Sequence, residues 1–183
     1  DTWVALMEVF GYVDGLVRAR AERPQDDLTT AFIQAEVDGE RLTHDEVVMT
    51  WYLLMVAGND STRATFCSGL KSLLEDPEQL ELVRSGAVST EQAVEEFLRC
   101  HPAFAYMRRT ATTDTEIAGR PVAEGDKVLL WYVSGNRDET VFEDPHRFDV
   151  RRDPNAHQAF GGGGRHFCLG AGLARLELRL WLE

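Results

Sequence analysis

Apolar positions along the first part of the chain recur at helical spacing. Val4, Met7, Phe10, Val13 and Val17 share a face, which predicts a helix over residues 2–23 ended by Pro24. Asp26 and Asp27 can cap a second helix over 28–37, closed by Gly39. Thr43 and Glu46 form a capping-box pattern ahead of a long apolar helix reaching about Glu75. Asp76-Pro77 opens a short helix that stops near Gly86. Ser89 and Gln92 repeat the capping pattern and start a helix to Arg99 or Cys100, before Pro102. The period then changes. Residues 115–118 and 127–133 read as short strands with turns at Gly119-Arg120 and Glu124-Gly125. Residues 134–164, rich in Asp, Asn, Pro, Gly and Arg, read as a long structured loop, a feature usually tied to function. A final helix is predicted from Cys168, with Leu169, Leu173, Leu176 and Leu180 on one face.

Composition narrows the class. With 183 residues, 44% apolar and 27% charged, the chain can bury a real core, and disordered, collagenous and coiled-coil classes are excluded. The longest apolar run, Val47 to Gly58, is too short to span a bilayer and is flanked by Asp45, Glu46 and Asp60. Asp1 opens an amphipathic stretch, not a secretory signal. A net charge of −12 argues against general binding to nucleic acid or anionic membranes. Cys67, Cys100 and Cys168 are odd in number and widely spaced, which argues against a disulfide framework or a paired-cysteine zinc site and fits a reducing, cytoplasmic compartment. The start at Asp1 without an initiator Met, and the end at Leu180-Trp181-Leu182-Glu183 within an apolar helical pattern, predict a fragment of a longer chain.

Three segments carry candidate chemistry. In Phe160-Gly-Gly-Gly-Gly-Arg-His-Phe-Cys168-Leu-Gly170, four glycines let the backbone turn sharply and approach a flat ligand. The cysteine then comes at the start of the predicted helix, where the helix dipole favours a thiolate able to ligate haem iron. A buried structural cysteine beside a flexible linker is the plainer reading. A phosphate-cradling loop is a further rival, although the Lys-Ser/Thr ending of such loops is missing. In Ala57-Gly58-Asn59-Asp60-Ser61-Thr62, poor helix formers sit in mid-helix and predict a break that opens a groove. The acid and alcohol of Asp60 and Ser61 could relay protons through water there, or the segment is a simple kink. Glu96 and Arg99, three apart on a helix, can pair, and taken alone read as surface decoration.

Together these segments resemble the cytochrome P450 superfamily, the haem-thiolate monooxygenases. Ala57 to Thr62 is similar to its oxygen-activation motif, Glu96-x-x-Arg99 to its Glu-x-x-Arg motif, and Pro145-His146-Arg147-Phe148 to its meander motif. The cysteine loop completes the set. The resemblance covers essentially the whole chain but implies a partial fold, mainly α with small β-sheets. It comprises the long oxygen-binding helix, the Glu-x-x-Arg helix, short strands, the meander, the cysteine loop and the following helix. Residues 1–183 would be one partial domain, the C-terminal haem-binding portion, without the N-terminal half and the extreme C-terminus.

The resemblance implies haem b held through Cys168 as the iron ligand. His166 and Arg109 would meet the haem propionates, and Phe160, Gly162, Gly170, Ala57 and Gly58 would line the cofactor. Asp60, Ser61 and Thr62 would serve oxygen activation, and Glu96, Arg99 and Arg147 would form a buried structural triad. A pair so buried is costly to break, which reverses the surface reading of Glu96 and Arg99. Two departures stand out. Ser61 replaces the usual Thr and loses the methyl that fixes its rotamer. The loop from Phe160 to Cys168 is one residue longer than the commonest pattern, a likeness to bacterial enzymes that hydroxylate steroids and branched lipids.

The implied reaction inserts one oxygen atom of dioxygen into a C–H bond of a hydrophobic small molecule. Electrons derived from NAD(P)H would arrive through ferredoxin reductase and ferredoxin. Arg151, Arg152 and Arg165 could form a basic patch for that acidic partner, or be ordinary surface arginines. Val56, Ala57, Ala103 and Phe104 are candidates to touch substrate by position. A haem-thiolate binding module without turnover, and a truncated inactive fragment, are the alternatives.

Overall fold

The computed structural model describes residues 2–183, which divide into two compact units, one ending at Asp60 and the other running from Ser61 to Glu183. Helix α1 (Thr2–Glu22) opens the first unit, followed by α2 (Leu28–Gln34), β1 (Glu36–Val37), β2 (Glu40–Arg41) and the first part of α3 (His44–Glu75). Its core gathers Val13 and Val17 of α1 with Val47 and Val48 of α3, backed by Phe10, Phe32 and Trp51. Asp27 caps α2 by accepting the Thr30 N–H at 2.9 Å. The capping box of α3 is reciprocal: Glu46 accepts the Thr43 N–H at 2.7 Å and Thr43 Oγ1 accepts the Glu46 N–H at 3.3 Å.

Helix α2 is shorter than its apolar pattern predicts. Asp38 and Gly39 adopt φ of 54° and 85°, the left-handed pair that a two-residue hairpin needs. The chain therefore leaves the helix after Gln34 and pairs Glu36 with Arg41 and Val37 with Glu40.

The second unit contains the rest of α3, then α4 (Pro77–Arg84), α5 (Thr90–Cys100), strands β3 (Tyr106–Thr110), β4 (Thr115–Ile117), β5 (Arg120–Val122) and β6 (Lys127–Trp131), the short α6 (Tyr132–Gly135) and α7 (Ala171–Leu182). Asp76 caps α4 and Ser89 caps α5. The α5 box closes on one side only: Gln92 donates to the Arg151 carbonyl at 2.8 Å instead of turning back to the cap. Phe97 of α5 is fully buried with Leu73, Val88, Ala93 and Val150. A Cβ built on Gly69 of α3 would lie 2.2 Å from the Phe97 ring, so only glycine permits this approach of the two helices.

Strand β3 pairs antiparallel with β6, and β4 with β5. Neither β3 nor β5 was expected from the pattern, because Met107-Arg108-Arg109 and Arg120-Pro121 interrupt any clean alternation. The β4–β5 turn falls at Ala118 and Gly119, with φ of 50° and 77°, one residue earlier than predicted, so Arg120 is already in a strand.

Two further expectations are corrected. Helix α3 runs unbroken through Gly58–Thr62, so the predicted break is not there. A propensity loss of about 0.5–1 kcal/mol per residue does not interrupt a long cooperative helix. Helix α7 starts at Ala171, not at Cys168, and its buried residues are Ala171 and Leu178. Leu169, Leu173, Leu176 and Leu180, read as sharing one face, are exposed. Among the described residues no helix is long and apolar enough to cross a membrane.

Candidate functional site

The site is built on α5. Arg99 forms a two-pronged contact with Glu96, at 2.8 and 2.7 Å, and both side chains are fully buried. The remaining guanidinium protons reach the backbone carbonyls of Asn136 (2.8 Å), Pro145 (2.7 Å) and Arg147 (2.8 Å). Burial pushes Arg99 toward the neutral form, but the Glu96 bond and charge outweigh it and raise the group above its ordinary value. Glu96 also accepts the Asp149 N–H at 2.8 Å and the Asn155 amide at 3.1 Å. Asn136 is buried, donates to the Arg99 carbonyl at 3.0 Å and accepts the Gln158 N–H at 2.7 Å. One ion pair thus ties α5 to the long segment that leads into the glycine loop.

The third arginine of this network is a correction. Arg147 contributes only its backbone carbonyl, and the residue is exposed. Arg152 instead brings Nε to 3.3 Å from Glu96, with its side chain 11% exposed. Its terminal nitrogens donate to the carbonyls of Glu143, Asp144 and Arg147. Arg152 is therefore committed inward and does not belong to a surface patch. Arg151 pairs with Asp149 at 2.9 Å, and Arg165 is exposed.

The glycine loop bends back on itself. Gly161, Gly163 and Gly164 have φ of 91°, 93° and 77°, conformations that side-chain-bearing residues resist. Gly162 lies where a Cβ would meet the Gln158 side chain at 3.0 Å. The turn returns Cys168 to Phe160, whose carbonyl accepts the Cys168 N–H at 3.0 Å. The Cys168 carbonyl then accepts the Ala171 N–H at 3.2 Å, and Gly170 is the N-cap of α7. Cys168 thus precedes the helix instead of beginning it, and it is exposed and not disulfide-bonded.

A second cluster lies behind the loop. Glu95 holds Arg175 of α7 through both oxygens, at 2.7 and 2.9 Å, and contacts His157 Nε2 at 3.0 Å. The Ala159 N–H donates to His157 Nδ1 at 3.2 Å, which assigns the ring proton to Nε2 and makes that nitrogen the donor to Glu95. The Arg175 guanidinium covers the Phe160 ring at 4.6 Å. Burial pushes Glu95 up, but the bonds from His157 and Arg175 prevail and hold it at about 2.

The remaining candidates are spread out. His166 is exposed on the loop. Arg109 is exposed on β3 and donates to the Arg108 carbonyl at 3.0 Å. On α3, Ala57, Gly58 and Asp60 are exposed, Ser61 is half-buried and Thr62 is buried. Val56, Ala103 and Phe104 are exposed. The sequence reading missed Asn136, Glu95, His157 and Arg175, and gave Arg152 a different role, in a basic patch. Only the Glu95-Glu96 doublet carried a signal, two acids facing different neighbours from one helix.

Haem fits these residues. Among the described residues no cluster of three or more His, Cys, Asp or Glu could hold a metal, so Cys168 offers a single thiolate. One protein ligand suffices where a macrocycle supplies the others. Cys100 is unsuited: burial, and then the Glu96 charge, push its thiol up to about 12. Gly161, Gly163 and Gly164, all at positive φ, leave the turn ahead of Arg165 bare of side chains.

The sequence model of the cytochrome P450 family matches residues 89–183. The chain belongs to the cytochrome P450 family. It is 48% identical over 176 residues to a methyl-branched lipid omega-hydroxylase of Mycobacterium tuberculosis, covering 94% of this chain and 41% of that protein. It is 40% identical over 180 residues to a steroid C26-monooxygenase of the same species, covering 98% and 41%. A Bacillus megaterium P450 solved in complex with testosterone superposes with a TM-score of 0.90 at 35% identity, over 99% of this chain and 50% of that one. The chain therefore spans about two fifths of the length of the curated relatives it matches.

Proposed function

We propose that the protein is a haem-thiolate monooxygenase that inserts one atom of dioxygen into a C–H bond of a hydrophobic small molecule. Its substrates would be steroids or methyl-branched lipids, as the names of its relatives suggest. Its electrons would come from NAD(P)H through ferredoxin reductase and ferredoxin, in the cytoplasm. The observation that carries the reading is the exposed Cys168, returned to the Phe160 carbonyl by a loop of positive-φ glycines.

When bound, haem b supplies the redox-active iron at which dioxygen is reduced and cleaved. The protein supplies position and protons. Cys168 is the thiolate ligand, and its N–H bond to Phe160 holds the main chain that carries the sulfur. Glu96, Arg99 and Arg152 hold the backbone that delivers the loop. His166 and Arg109 would meet the propionates. The Asp60 carboxylate takes a proton from water and the Ser61 hydroxyl passes it on, with Thr62 beside them. A hydroxyl without the Thr methyl rotates more freely, so oxygen is expected to be lost as peroxide more often than with Thr.

The carbon monoxide difference spectrum of the reduced, haem-supplemented protein tests this. A red-shifted, thiolate-type Soret band that disappears in Cys168→Ser is expected. A band unchanged by that substitution overturns the ligand assignment. Asp60→Asn with unchanged product formation and unchanged peroxide release overturns the relay. The alternative reading is a haem-binding stretch without turnover. The thiolate band without substrate oxidation would identify it.

A further inference from the structure

The Glu95–Arg175–His157 cluster has no part in the reading above, yet it borders the cysteine loop on its inner side. Arg175 is held at three points, and Glu95 is itself braced by His157. Both Glu95 oxygens grip its guanidinium, at 2.7 and 2.9 Å. His157, with its side chain 3% exposed, fixes one of those oxygens from behind at 3.0 Å. The Phe160 ring lies under the cation at 4.6 Å. Phe160 is in turn the residue whose carbonyl accepts the Cys168 N–H at 3.0 Å. His157 is itself locked to the loop by the Ala159 N–H at Nδ1. The cluster therefore joins α5, the loop and α7, and places a paired cation and anion one residue contact away from the ligand cysteine.

A guanidinium is charged at every accessible pH. Held in a partly buried site, its field reaches nearby charge with less screening than a surface cation's would. Glu95, paired with Arg175, carries the opposite charge and offsets that field.

We propose that Arg175 and Glu95 are a positioning pair whose opposed charges set the reduction potential of the haem iron ligated by Cys168. This rests on the haem-thiolate reading. Reduction adds one electron, supplied by the ferredoxin-type donor, and leaves the iron–thiolate centre more negative. A nearby cation stabilises that state and a nearby anion destabilises it.

The test is a spectroelectrochemical titration of the haem-loaded protein and its Arg175→Gln, Arg175→Lys and Glu95→Gln variants. The carbon monoxide band is recorded on each sample first. Arg175→Gln is expected to lower the midpoint potential, so that the ferrous fraction at a fixed potential falls several-fold. Glu95→Gln is expected to raise it. Arg175→Lys, which keeps the charge, is expected to stay near the parent value. Shifts of the two neutralising variants in the same direction would assign the cluster a purely structural role and overturn the proposal, as would no shift in either. If Arg175→Gln does not take up haem, the signs of Arg175→Lys and Glu95→Gln decide. A parent protein without a thiolate-type band overturns the underlying haem reading, which separates that failure from failure of the charge pair.

Discussion

Arg152 Nε lies 3.3 Å from Glu96, fifty-odd residues away in the chain, and makes there an ion pair without the alignment of a hydrogen bond. Arg147, five residues before it, offers the same network only a carbonyl oxygen. The two arginines should therefore respond differently to substitution. Arg147→Ala keeps the carbonyl and is expected to change stability by no more than about 0.5 kcal/mol. Arg152→Ala removes donors to three carbonyls and is expected to cost about 1–3 kcal/mol. Glu96→Ala leaves Arg99 buried and unpaired, at about 3–5 kcal/mol. Chemical denaturation of the three variants gives this ranking directly, and an Arg147→Ala loss equal to that of Arg152→Ala would contradict it.

Gly69→Ala should be poorly tolerated although alanine is the better helix former. The added methyl would sit 2.2 Å from the Phe97 ring, so α3 and α5 must separate or the ring must leave its rotamer. Overpacking of this kind costs about 1–3 kcal/mol. Shortening the ring in the Gly69→Ala/Phe97→Leu double variant should recover part of the loss. A thermal midpoint for Gly69→Ala at or above the parent's would refute the contact.

Acid should weaken the protein partly through Glu95. Its folded value of about 2 lies below the ordinary 4.5, so the folded state prefers the charged form. The stability from that preference is complete above pH 4.5 and is lost as pH falls from there toward about 2. Glu95→Gln is expected to be less stable at neutral pH but to lose less stability across that window. Midpoints of thermal unfolding measured down the acid limb check the sign.

The cysteines should label unequally. Cys67 and Cys168 are exposed, while Cys100 is buried with a thiol held near 12. In cofactor-free folded protein, iodoacetamide is expected to modify Cys67 and Cys168 and to spare Cys100 until the chain unfolds. Haem loading should then protect Cys168 alone. Mass spectrometry of the peptides reads all three, and undiminished labelling of Cys168 in the haem-loaded protein would speak against its role as ligand.

The elements that announce themselves through local chemistry were legible in the sequence. Asp27, the Thr43–Glu46 box, Asp76-Pro77 and Ser89 each satisfy backbone groups within a turn of themselves, so their meaning does not depend on the rest of the fold. The Asp38-Gly39 hairpin was hidden by an apolar pattern that ran on past the true helix end. Strand β3 was hidden because its partner β6 lies across two intervening strands. At the candidate site, spacing allowed a Glu96–Arg99 pair, but its burial came only with the family resemblance. The place of Arg152 in that network was not legible, because a motif match drew attention to Arg147 and only three-dimensional packing distinguishes a side chain from a carbonyl. Arg175 and His157 meet Glu95 over separations of 80 and 62 residues, which no periodicity encodes.

Arg99 takes hold of the chain ahead of the glycine loop by three carbonyl oxygens, those of Asn136, Pro145 and Arg147. Every amino acid carries that oxygen. A lineage can therefore rewrite the letters at positions 145 and 147 while the grip stays intact, provided the path of the main chain is kept. At these two places the contact constrains the path of the main chain and not the identity of the side chain.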